Sequence, residues 1–258
     1  MTYKNPHHPR KQPFRRLAGA IVGFLLLSQG AQSESLVNSA LRSFLGNDSN
    51  TVGFDLDKSR PQPVAPEMKA NILASLPKEG RLQKFQEPLR RKLDSLEGVL
   101  RTQQRQSVIE VHVFDSGSKP FAFVGLYERA ILLISDAELT LLTAEEMQAS
   151  VAHEIGHEYV WVEYREANSR HDNRRLKELE LFCDGIAILT LRRVGQGPAP
   201  LLTAAERITT FNRLTTGPAG NAERYPSANE RRRFAKAVMT WADSRWGSDA
   251  DARRALTF

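Results

Sequence analysis

Apolar residues recur at four-residue steps through Met147, Val151, Ile155 and Tyr159, the spacing of a helix that buries one side. Thr143 stands three residues ahead of Glu146, so hydroxyl and carboxylate can each satisfy an otherwise unpaired N–H at the start of that helix. A second stripe, Leu176, Leu179, Cys183, Ile186 and then Leu189 or Thr190, predicts a long helix over residues 170–194. Between residues 107 and 135 the pattern changes to that of two or three strands, with turn chemistry at Asp115-Ser116-Gly117-Ser118. Residues 33–45 read as a short amphipathic helix, and 46–66, with three prolines, as a loop or linker. Residues 67–76 and 81–106 read as helical, the second interrupted near Pro88. Gly195-Gln196-Gly197-Pro198 breaks the chain, Thr203-Ala204-Ala205-Glu206 caps a further helix, and residues 229–243 form the last. These elements predict an α+β architecture, mainly helical, with a small sheet packed over the helix that begins at Thr143.

The amino terminus has a different character. Residues 1–16 contain five basic side chains and no acid, residues 17–27 are unbroken apolar, and Ser28-Gln29-Gly30-Ala31 follows. This is the plan of a secretory signal cleaved after Gly30 or Ala31. An apolar run of 11 residues is short against the roughly 20 that a membrane span needs. Residues 1–31 are therefore expected to direct the chain to the periplasm or the exterior, with an uncleaved inner-membrane anchor at 17–27 as the alternative. Membrane contact is expected only in that second case. Absence of a cysteine near the cleavage point excludes a lipoprotein anchor.

Charge follows from the same segment. The chain carries a formal +6, of which five charges precede residue 30, leaving +1 beyond it. The basic balance is thus a targeting feature and not a nucleic-acid footprint. Arg231-Arg232-Arg233 reads as the solvated face of the last helix. A single cysteine, Cys183, rules out an intramolecular disulfide and reads as a small buried thiol. Residues 32–66 are expected to form an N-terminal helix and linker, and 67–258 one domain of ample size for a core. Oligomeric state is not legible.

The chemistry lies at His153-Glu154-Ile155-Gly156-His157. Histidines four apart on a helix share a face, so both imidazoles can reach one metal ion. Glu154 projects beside that ion, placed to take a proton from the attacking water. Gly156 costs the helix about 1 kcal/mol relative to alanine, which points to close approach by another backbone.

A catalytic zinc needs a third protein ligand and one open position. Glu163, Glu166, His171, Glu178 and Glu180 are the downstream candidates. On the long helix Glu178 and Glu180 are about 200° apart, so only one can face the motif. Glu178 follows Arg174 and Arg175 at solvated ion-pair spacing. Glu180 instead precedes Asp184 by one turn, in the company of Leu181, Phe182 and Cys183. Two carboxylates in apolar surroundings need something positive opposite them. The expected ligand set is therefore His153, His157 and Glu180 around one Zn²⁺ per chain, with Asp184 accepting the far N–H of a ligand histidine.

This combination resembles the gluzincin zinc peptidases, in particular metallopeptidase family forty-eight, that of the CAAX prenyl endopeptidase and its small soluble bacterial envelope relatives. The resemblance extends from about residue 81 to residue 236. Pro120-Phe121-Ala122-Phe123-Val124 resembles the family's Asn-Ala-Phe strand, and Ala130-Ile131-Leu132-Leu133-Ile134-Ser135 the strand after it. Glu180-Leu181-Phe182-Cys183-Asp184 stands where the family carries Glu-x-x-Ala-Asp. Tyr225-Pro226-Ser227-Ala228-Asn229-Glu230-Arg231 resembles a late His-Pro motif leading into Glu-Arg. The chain departs from the pattern twice: Tyr225 replaces the late histidine, and no asparagine precedes the Phe-Ala-Phe run. A tyrosine at 225 could donate a hydrogen bond to a developing oxyanion, or simply pack in the turn before Pro226.

The resemblance implies a zincin-like fold and zinc-dependent hydrolysis of peptide bonds in unfolded or extended polypeptides laid against a sheet edge. Two other readings stay open: a catalytically silent zinc-binding chaperone or assembly factor, and a zinc amidohydrolase acting on non-peptide substrates.

Overall fold

Two helices that cross at a glycine organise the molecule. A computed structural model describes residues 35–46, 53–75, 87–118, 120–217 and 222–246. Residues 36–258 form one compact unit; the signal segment predicted at 1–31 falls in a separate one and lies outside the described residues.

The elements run α1 (35–45), α2 (Pro66–Ser75), α3 (Glu87–Asp94), α4 (Glu97–Thr102), β1 (Glu110–Phe114), β2 (Val124–Tyr127) and β3 (Ile131–Ser135). There follow α5 (Asp136–Leu141), α6 (Ala144–Tyr159), α7 (Trp161–Ser169), α8 (Asn173–Arg193), α9 (Ala199–Thr216), a 3-10 turn (Ala222–Arg224) and α10 (Ala228–Trp246). The architecture is α+β, mainly helical with one three-stranded sheet. Among the described residues no helix is long and apolar enough to cross a membrane.

Strand order is β1-β3-β2, with β1 parallel and β2 antiparallel to β3. Alternation sends Val111, Val113, Val124, Leu126, Leu132 and Ile134 to one face, where they join the core. Met147, Val151 and Ile155 of α6 meet them there, fully buried, as their four-residue spacing predicts. Leu36, Val37, Ala40 and Phe44 of α1 enter the same core. Phe44 packs within 5.0 Å of both Phe54 and Phe182.

Several boundaries differ from the sequence pattern for local reasons. Residues 81–86, where the predicted helix around Pro88 begins, lie outside the described residues; within α3 Pro88 stands at the second position, where its missing N–H costs nothing. The interruption falls at Ser95 and Leu96, between α3 and α4. The long helix starts at Asn173, because the Asp172 side chain accepts the N–H of Arg175 and caps it. Thr203 caps nothing: α9 begins at Ala199 behind Pro198, and the Thr203 hydroxyl donates to the Ala199 carbonyl inside the helix. Ladder pairing on the second strand is centred later than the Phe-Ala-Phe run, on residues 124–127.

Candidate metal centre

Thr143 and Glu146 form the reciprocal cap that starts α6, fixing the phase in which His153, Glu154 and His157 leave the helix. A Cβ at Gly156 would lie 2.8 Å from the Cα of Cys183. The α6–α8 crossing therefore excludes any side chain at that position, and it brings Glu180 and Asp184 of α8 up to the two histidines.

His153 Nδ1 lies 2.8 Å from Asp184 Oδ1 and donates to it, which turns Nε2 toward Glu180 Oε2 at 3.3 Å. His157 Nε2 lies 3.8 Å from Glu180 Oε1, while its Nδ1 lies 3.5 Å from Cys183 Sγ. Lone pairs this close repel unless a positive centre sits among them. A tetrahedral ion with ligands at about 2.0–2.1 Å spaces its donors about 3.3 Å apart. The donor set thus fits a divalent ion.

His153, Glu154 and His157 also offer donor atoms all within 4.8 Å of one another. Between the two carboxylates that could complete the set, Glu180 is the better ligand. It is buried and faces both rings, and its charge persists. Burial alone would raise its pKa, but contact with His153, then the His157 and His153 charges and Arg231, hold it down at about 2. Glu154 is partly exposed, and burial with the nearby Glu180 charge lifts its carboxyl to about 7, against the pull of His153 and of the Leu126 N–H on β2. A group that exchanges its proton near neutrality suits acid–base work better than ligation.

The histidines split. Burial would lower both, yet the hydrogen bonds to Asp184 and Glu180 push His153 up to about 10. His157, without a carboxylate on its far nitrogen, is driven by burial down to about 4. A proton on His153 supplies a positive centre between its ring and Glu180.

Arg231 contradicts the reading of 231–233 as a solvated face. Only 11% of its side chain is exposed; it is hydrogen-bonded to Asp184, with Glu180 Oε2 at 3.5 Å. Two buried carboxylates one turn apart demand such a cation, a signal present in the sequence at Glu180 and Asp184. Ser227 and Glu230 fix its phase by a reciprocal cap at the start of α10. Tyr164, unnoticed in the sequence, donates to Glu180 Oε1 at 3.0 Å and sets its ring 4.7 Å from that of His157. It lies seven residues after His157, but α6 ends at Tyr159 and α7 is a new helix beyond Val160, so periodicity does not connect them.

The other candidates fall away from the cluster. Glu163, Glu166 and His171 are exposed, Glu166 paired with Arg170 at 2.6 Å. Glu178 pairs with Arg175 at 3.1 Å. Tyr225 is half-exposed, in the turn after the 3-10 segment. Burial and the charges of Glu180 and Glu154 raise its hydroxyl pKa. Searches of protein-family models, curated proteins and solved structures find nothing that matches this chain.

Proposed function

We propose that this chain is a zinc-dependent endopeptidase with a zincin-like catalytic domain. The observation that carries the reading is the convergence of two imidazole Nε2 atoms on one buried carboxylate, at 3.3 and 3.8 Å, with a second carboxylate that titrates near neutrality beside them. His153, His157 and Glu180 would hold one Zn²⁺, whose chemistry is that of a Lewis acid: it polarises a carbonyl and acidifies water.

The chain's own groups do the rest. Glu154 takes a proton from the attacking water and passes it to the leaving amine. Asp184 fixes the His153 ring with Nε2 inward, and Arg231 neutralises Asp184 so that both stay buried. Tyr225 at the rim offers its hydroxyl to the developing oxyanion. Substrates are unfolded or extended polypeptides lying along the exposed edge of β2, whose Leu126 N–H faces Glu154. Residues 1–31 would send the enzyme to the envelope, where such substrates arise from damaged proteins.

Metal analysis and casein hydrolysis on the purified chain test this reading. One zinc per chain is expected, with hydrolysis lost in Glu154→Gln while zinc is retained, and zinc lost in Glu180→Ala. Undiminished cleavage by Glu154→Gln would remove the base from the mechanism. Zinc without any cleavage by the unaltered chain would leave a silent scaffold.

A further inference from the structure

The outer edge of β2 is closed at one end by a side chain from α9 and open beyond it. The Ser135 N–H donates to the Phe123 carbonyl at 2.8 Å, which makes these two a hydrogen-bonded pair. In the antiparallel register that follows, Gly125 and Tyr127 also turn their main-chain groups toward β3. Ala122, Val124 and Leu126 turn theirs the other way, and β2 is an edge strand, so those groups leave the sheet.

Their surroundings differ sharply. Asn212 of α9 reads Ala122 as a strand would: the Ala122 N–H donates to Oδ1 at 2.7 Å, and Nδ2 donates to the Ala122 carbonyl at 2.8 Å. At the other end the Leu126 N–H faces Glu154. Between them only Val124 presents both a donor and an acceptor to an incoming chain. Ala122 to Leu126 spans about 13 Å at the usual rise of a strand.

The face beside this opening is aromatic. The Phe123 ring lies across Gly125, where a Cβ would come within 2.5 Å of Cζ, and Phe123 is 40% exposed. Phe114 and Phe121 back it with centroids 6.0 and 6.2 Å away. When a strand pairs with Val124, the residues before and after the paired one point to the Phe123–Gly125 face. Both meet the same ring.

We propose that the substrate is an extended apolar segment whose main chain is held at Val124, with Asn212 ending the grip and Phe123 receiving the neighbouring side chain. Asn212 then sets specificity without touching the reacting atoms: a chain that would continue past Val124 finds the next position on the edge occupied. Substrate length is read on one side of the cleaved bond by a carboxamide. The inference rests on the peptidase reading above.

Quenched peptides lengthened one residue at a time on either side of a cleaved bond test it, using the full zinc-loaded chain. In the unaltered chain kcat/KM should rise with length on the Asn212 side through the residue opposite Val124 and the next one, whose side chain meets Phe123, then level off. In Asn212→Ala the freed N–H and C=O of Ala122 should carry the rise on to the residue opposite Ala122, lowering KM for the longer peptides about tenfold with kcat unchanged. Asn212→Asp keeps the acceptor for the Ala122 N–H and frees only the carbonyl, so it should shift KM less; it carries the test where Asn212→Ala does not fold. Phe123→Ala should erase a preference for an aromatic or branched apolar side chain next to the residue that pairs with Val124. Identical length profiles in the unaltered chain and both Asn212 variants would overturn the inference and leave the peptidase reading standing. A zinc-loaded chain that cleaves no peptide of any length overturns both.

Discussion

Replacing Glu138 by glutamine should change how stability depends on pH, with no appeal to metal or substrate. Glu138 is fully buried in α5; Oε1 accepts from the Ser150 hydroxyl at 2.9 Å, and Oε2 has no hydrogen-bond partner among the described residues. Burial pushes its carboxyl from 4.5 up to about 8, the Ser150 hydroxyl opposing and the Glu154 charge one turn beyond Ser150 adding to the rise. Below pH 4.5 the group is protonated in both folded and unfolded chains and contributes nothing. As pH rises from there, the unfolded chain ionises freely while the folded one must keep its proton, so stability falls. The loss is complete once pH passes about 8, and the interval corresponds to about 5 kcal/mol at most. Glutamine cannot titrate, so its unpaired amide adds a penalty that is constant with pH. Urea unfolding in chelator at a series of pH values measures both chains. The stability difference between Glu138→Gln and the unaltered chain should swing in the variant's favour by several kcal/mol from about pH 5 to about pH 8. Parallel profiles would show that Glu138 is ionised in the folded state and that the reasoning is wrong.

Gly156→Ala should lower Tm although alanine favours helices, since the new methyl would stand 2.8 Å from the Cys183 Cα; overpacking costs about 1–3 kcal/mol against a propensity gain of about 1. An unchanged or higher Tm would mean that the helices separate freely. Arg105→Met removes both hydrogen bonds of the buried Glu158, at 2.9 and 3.0 Å, and leaves it only the Arg129 guanidinium at 3.8 Å. Unfolding free energy should drop by about 3–5 kcal/mol, with much of it regained in Arg105→Met/Glu158→Leu; equal losses in single and double variants would contradict this. Tyr164→Phe removes the hydroxyl that holds Glu180 and should weaken metal binding about tenfold in competition with a chelator, leaving the fold intact; unchanged affinity would make Tyr164 a packing residue only.

Much of the site was legible in the chain because helix periodicity is a local property. His153, His157 and Glu154 follow from the four-residue stripe and the Thr143 cap, and Glu180 was separated from Glu178 by helical phase together with the arginines beside Glu178 and the apolar neighbours of Glu180. What the sequence hid depends on contacts between distant elements. Arg231 lies among two further arginines on a helix that reads as solvated, and only the packing of α10 against α8 shows which of the three turns inward. Tyr164 is reached across a helix break. Asn212 meets Ala122 over 90 residues, through a carboxamide on a helix whose own pattern gives no reason to look toward a strand. Such pairings leave no period, because they satisfy single orphaned backbone groups.

Charge arithmetic connects the site to its packing. Glu154, Glu180 and Asp184 bring three negative charges into one enclosed region, and Arg231 returns one. Neutral imidazoles return none. A dication balances the remainder, and so do two protons, one on His153 and one on Glu154, the two groups whose proton affinity the surroundings raise. On the proposed reading, metal and protons would be alternative occupants of a single electrostatic deficit. That deficit, more than any one contact, accounts for polar groups of this density between helices whose other faces are apolar.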